Sequence, residues 1–162
     1  MKKHIENIVN YNLWANRRMY QSLEVLSEEQ IVQHIESSYP SVKKTIEHIW
    51  GVENGWLKSI MRTPENYFPT FEGGSKALYE NLIKGSENFI QYIENQPEEF
   101  LSTTFDVSYN NKTFTYQVHQ AVQHCMNHST YHRGQVYTMA RQLGLEKFKG
   151  LDYISFVETK LS

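Results

Sequence analysis

Histidines recur every fourth residue in the run His124-Cys-Met-Asn-His128-Ser-Thr-Tyr-His132. Side chains four apart stand one above the other on a helix face. An i, i+4 pair can therefore present two ring nitrogens to one ion, as in H-x-x-x-H zinc sites. Neutral imidazole is the commonest protein ligand for zinc, nickel and related metals. An ion held this way polarises a substrate oxygen or sulfur, or lowers the pKa of a bound water.

The apolar stripe of the same segment, Val118, Val122, Cys125, Val136, Ala140 and Leu143, decides which pair faces inward. At about 100° per residue, His132 falls about 40° from the centre of that stripe, His128 about 80° and His124 about 120°. His128 and His132 point into the fold, and His124 lies nearer the rim. Catalytic sites commonly use three protein ligands and keep a fourth position open. The best placed third histidine is His48, in mid-helix beside Thr45, Ile49 and Val52. His4 and His34 lie near segment ends and His119 in a first turn, where a histidine is ordinarily a surface or satisfied residue.

The remaining chemistry-bearing residues have plainer readings. Cys125 reads as a small buried apolar residue rather than a ligand. Trp14, Trp50 and Trp56 read as core. Glu47 and Glu53 flank His48 and are candidates to orient a ligand or shuttle protons, but helix carboxylates are ordinarily solvated. Arg133 points about 100° from His132, where it would meet a partner carboxylate or a substrate anion. Gly134 is expected to permit close helix approach, with simple tolerance of glycine as the plainer alternative.

Four long helices are predicted to position these residues. The first spans about Ile5 to Leu26, with Ile5, Ile8, Ala15, Met19, Ser22 and Leu26 at three- and four-residue steps. Ser27 follows as an N-cap with Gln30 at the box position. The second helix opens at Ser41 and runs to about Arg62, with Val42, Thr45, Ile49, Val52, Trp56 and Ile60 inward. An irregular stretch from Thr63 to Gly74 precedes a third helix over about Ser75 to Asn95. Leu101 to Tyr116 alternates β-formers around Asn110-Asn111 and reads as a small hairpin or extended crossover. The fourth helix, about Tyr116 to Leu143, ends at Gly144 as its C′ residue. Leu151, Tyr153, Ile154 and Phe156 of the tail are expected to pack back on the bundle. The expectation is an all-α four-helix bundle forming a single domain over residues 1–162.

Composition narrows the function. The chain has 162 residues, 40% hydrophobic and 14% aromatic, with four prolines and eight glycines, which argues against disorder. Formal net charge is −2 and no basic stripe appears, so nucleic acid is not an expected partner. One cysteine forbids an intrachain disulfide. The basic start, Met1-Lys2-Lys3, leads into no apolar h-region, and no apolar run approaches the ~20 residues that span a bilayer. A soluble cytoplasmic protein without membrane contact is expected.

Three motifs carry a family resemblance. His128-Ser-Thr-Tyr-His132-Arg133-Gly134-Gln135 resembles the last-helix signature of the DinB family, the DinB/YfiT-like metalloenzymes. Leu13-Trp14-Ala15-Asn16-Arg17-Arg18 is similar to that family's start, and Thr45-Ile46-Glu47-His48-Ile49-Trp50-Gly51-Val52 to its second-helix motif. The order and spacing agree over nearly the full chain. The resemblance implies an up-down-down-up bundle, a metal site of His48, His128 and His132, and a homodimer. It implies zinc or nickel, with iron and manganese as alternatives.

The resemblance also implies a function class. Some relatives resemble thiol-dependent transferases or isomerases that use a low-molecular-weight thiol. A neutral three-histidine set leaves the full charge of the ion on the site and favours an anionic fourth ligand such as thiolate. The leading expectation is a metal-dependent enzyme, transferase or hydrolase-like, acting on a small molecule. The alternative is a stress-response protein that binds metal without turnover. No base is evident, because Ser129 stands where H-E-x-x-H has its glutamate. Histidine must be neutral to ligate, so metal is expected to leave below pH ~6.

Overall fold

The computed structural model describes residues 1–63 and 70–161. Four long helices form the bundle: α1 (Lys2–Leu23), α3 (Val42–Ile60), α4 (Ser75–Glu94) and α5 (Val118–Gln142). Two short helices, α2 (Glu28–Val32) and α6 (Tyr153–Glu158), flank them. Between α4 and α5 a 3₁₀ turn at Glu98–Ser102 leads into a hairpin of β1 (Thr104–Tyr109) and β2 (Lys112–Gln117). Half of the predicted irregular stretch from Thr63 to Gly74, residues 64–69, lies outside the described residues.

The caps read from the sequence are made. Ser41 Oγ accepts from the Lys44 amide at 3.1 Å, and Ser27 with Gln30 completes a capping box on α2. Gly144 takes φ +90°. Its amide donates to Arg141 O, and that of Leu145 donates to Ala140 O, both at 3.0 Å. That is a Schellman closure, and the buried Leu145 supplies its apolar contact. Asn110 and Asn111 both have positive φ, 49° and 59°, and the strands pair antiparallel with Tyr109 opposite Lys112. This is the two-residue turn that matches strand twist.

Contacts between the long helices give their directions. Lys2 Nζ donates to Gln96 O at the far end of α4, while Tyr20 stacks on Tyr79 near its start, so α1 and α4 are antiparallel. Ser22 meets Tyr137 and Asn12 meets Arg133, so α1 and α5 are parallel. Thr45 meets Met139 and Glu53 meets Ser129, so α3 opposes α5. The order is up-down-down-up.

Two large apolar clusters make up most of the core. One cluster gathers Ile5, Ile8, Leu57, Phe89, Ile93, Val118 and Val122. The other gathers Met19, Ile46, Ile49, Leu82, Val136 and Met139. Each fully buried side chain of this kind is worth roughly 1.5–3 kcal/mol. On every long helix a polar residue falls between the two clusters: Asn12 and Asn16, Glu53, Ser86, then Ser129 and Arg133, all buried. In the tail Phe156 is buried and packs with Tyr11 and Trp14. Ile154 is 64% exposed, against expectation. With Phe156 facing α1, helical periodicity turns position 154 outward.

Candidate metal centre

Mid-helix on α3, His48 faces α5, which carries His128 and His132 one turn apart. Their Nε2 atoms converge: His48 to His128 is 3.0 Å and His128 to His132 is 3.1 Å. One ring nitrogen from each of the three lies within 4.8 Å of the others, a grouping able to hold a metal ion. Exposure follows the angular order read from the sequence. His132 is buried, His128 half-buried and His124 exposed. His4 and His34 are exposed and away from the group, and His119 is tied to Leu101 O at 3.0 Å.

Burial and mutual proximity keep these rings neutral. Desolvation, then the nearby histidines, pushes both His48 and His128 down to about 4. Desolvation also lowers His132, against the hydrogen bond that its Nδ1–H donates to Gln135. The far edges differ. His48 Nδ1 lies 2.8 Å from Tyr39 Oη, and His132 Nδ1 lies 2.7 Å from Gln135 Oε1. His128 Nδ1 finds no partner among the described residues although it is buried.

A cleft of about 360 Å³ adjoins His48 and is lined also by Tyr39, Lys44, Glu47, Val52 and Thr70. Glu47 is ion-paired to Lys44 at 2.8 Å beside this cleft. On the other flank an aromatic group continues the row: Trp56 packs against His124 at 5.2 Å between centroids and against Tyr116 at 5.9 Å. All three tryptophans are only half-buried.

Three expectations are corrected. Glu53 is not solvated; it is 1% exposed. Its Oε1 accepts from Asn12, Asn16 and Ser129 at 2.8, 3.2 and 2.8 Å, and its Oε2 accepts from Ser86 at 2.8 Å. Arg133 meets amide and hydroxyl oxygens and, among the described residues, no carboxylate directly. Also 1% exposed, it donates from Nη1 to the side-chain oxygens of Asn12 and Asn16 and from Nη2 to Thr130 at 2.8 Å. The two asparagines thus link a buried cation to a buried anion. Helical periodicity hides such a layer, because polar side chains inside a stripe look like gaps in it. Gly134 is exposed, and a Cβ there would meet nothing within 4 Å, so it is not a point of close approach.

No helix of the described residues is long and apolar enough to cross a membrane. Comparison with known proteins agrees with fold and motifs together. Protein DinB of Bacillus subtilis (strain 168) is 27% identical over 147 residues, covering 85% of this chain and 84% of that protein. A crystal structure of a DinB-like protein from Bacillus cereus ATCC 10987 superposes with a TM-score of 0.66 at 19% identity, over 84% of this chain and 89% of that one. A second DinB-like structure, from B. subtilis, gives 0.69 at 15% identity, over 90% and 97%. The DinB family matches residues 1–160, and with the bundle topology and the motif order in agreement, the chain belongs to the DinB family.

Proposed function

We propose that His48, His128 and His132 ligate one divalent transition metal, zinc or nickel first, and that the protein is a metal-dependent enzyme acting on a small molecule. The observation carrying this reading is the convergence of three Nε2 atoms at 3.0 and 3.1 Å. Ligands about 2.0–2.1 Å from a tetrahedral ion stand roughly 3.3 Å apart, so little movement is needed to admit one. An all-imidazole set suits zinc and nickel. Bound there, the ion supplies Lewis-acid polarisation of a substrate oxygen or sulfur.

The chain's own residues do the rest. The depressed basicity of His48 and His128 keeps lone pairs available at neutral pH. Ser129 is engaged with Glu53 and does not act as a base. The cleft beside His48 is a place for a small substrate. An anionic sulfur complements an uncompensated cationic centre, so a low-molecular-weight thiol is the proposed co-substrate. A homodimeric state and a cytoplasmic location belong to the same reading.

Elemental analysis after loading with zinc or nickel tests the site. About one ion per chain is expected, lost in His128→Ala. Wild-type protein that stays metal-free overturns the site. Metal-loaded protein is then screened with glutathione, bacillithiol or mycothiol and the electrophile monobromobimane. A rate above that of His48→Ala supports turnover. No rate with any thiol favours the binding protein without turnover.

A further inference from the structure

Gln135 Oε1 faces Nδ1 of His132 at 2.7 Å. A carbonyl oxygen only accepts, so Nδ1 carries the hydrogen, and the neutral ring presents its lone pair at Nε2, toward the centre. The other end of the amide is also occupied: Gln135 Nε2 donates to Ser38 Oγ and to Tyr131 Oη, each at 3.1 Å. The residue after Ser38 is Tyr39. Its hydroxyl lies 2.8 Å from His48 Nδ1, and its ring stacks on that imidazole with centroids 4.3 Å apart at 26°. The irregular segment leading into α3 therefore braces two of the three histidines from behind. His128 has no such brace among the described residues.

We infer that Gln135 and Tyr39 are positioning residues that hold His132 and His48 with their Nε2 lone pairs aimed at one point, and so set the affinity for metal. The inference rests on the metal reading above. Partners behind a ligating histidine fix its tautomer and orientation and raise its basicity, and their loss typically costs 10–100-fold in affinity. A carboxylate in place of the amide keeps the acceptor and adds negative charge behind the ring. Gln135→Met should therefore weaken metal binding while Gln135→Glu should not, a split which a purely structural role for Gln135 would not produce.

The test uses the full chain as wild type, Tyr39→Phe, Gln135→Met and Gln135→Glu. Zinc affinity is measured by competition with a chromophoric chelator. Histidine tautomers are read by side-chain ¹⁵N NMR on metal-free protein, and thermal unfolding confirms that each variant is folded. The wild type should show His132 as the Nδ1–H tautomer, and Gln135→Met should lose that preference. Affinity should fall about 10–100-fold in Gln135→Met and in Tyr39→Phe, and hold or rise in Gln135→Glu. Zinc bound equally by wild type, Gln135→Met and Tyr39→Phe overturns this inference and leaves the metal reading intact, as does Gln135→Glu weakened like Gln135→Met. Wild-type protein that binds no zinc overturns both.

Discussion

Ser129 donates its hydroxyl to Glu53 Oε1 at 2.8 Å, joining α5 to α3 one residue beyond His128. Both groups are buried in the polar layer that divides the two apolar clusters. A register slip between these helices would break this bond and the convergence of His48 on His128 together. The layer penalises wrong registers, because a misplaced buried charge has no partner. The apolar clusters hold the bundle together, and the layer specifies where the histidines meet.

Removing one side of that layer is expected to be severe. Glu53→Ala leaves the Arg133 guanidinium buried with no carboxylate to balance it, which typically costs about 3–5 kcal/mol. Arg133→Met should cost a similar amount for the converse reason. The two share Asn12 and Asn16 as bridges, so the double variant should lose less than the sum of the singles. Urea denaturation of the four proteins checks this. Additive losses would mean that the layer does not act as a unit.

The fold was largely legible in the sequence because its signals are local. Caps at Ser27 and Ser41, the closure at Gly144 and the turn at Asn110-Asn111 each depend on a few neighbouring residues. The ranking of His132, His128 and His124 from inside to rim followed from rotation about one helix axis. The buried layer was not legible, since it requires four helices to be placed first. Asn12 and Asn16 fall outside the predicted stripe of the first helix, and Glu53 read as a solvated helix residue. Tyr39 sat in a segment without periodicity, so nothing pointed it at His48. A hint lay in Asn16, Arg133 and Gln135, all within the motifs that carried the family resemblance.

The hairpin turn gives a sharp local test. Asn110 and Asn111 occupy left-handed backbone, at φ 49° and 59°. A left-handed conformation costs an ordinary L-residue about 1–2 kcal/mol, more where the side chain is β-branched. Asn111→Val should lower hairpin stability by about that amount, and Asn111→Gly should be neutral or stabilising. Amide hydrogen exchange of residues in β1 and β2 reads the effect directly. Equal protection in both variants would contradict the turn assignment.

Cys125 is fully buried, and burial, with the Glu53 carboxylate next in effect, raises its thiol well above the ordinary value. The thiolate is the reactive form, so native protein should resist Ellman's reagent and iodoacetamide and label promptly once unfolded in guanidinium. Rapid labelling of the native state would show that the interface of α5 with its neighbours opens easily.

The histidine centre makes stability depend on pH with a definite sign. His48 and His128 are pushed down to about 4 in the folded protein, whereas an unfolded chain has histidines near 6.5. Between these values the unfolded state binds more protons than the folded one, so stability of the metal-free protein falls as pH drops through that window. Above about 6.5 these rings are neutral in both states and contribute no slope. Replacing His48 and His128 together by Gln should flatten the dependence of the urea midpoint between about pH 5 and 6.5, a range above most carboxylate titration. The same burial bears on metal release. Ordinary histidines would surrender an ion below pH ~6. Here protons compete effectively only as pH approaches the depressed values near 4. Zinc-loaded protein titrated with acid should therefore keep its ion at pH ~5.5. Release already near pH 6, or a urea midpoint unchanged by the double substitution, would show that the three rings are more solvated than their packing indicates.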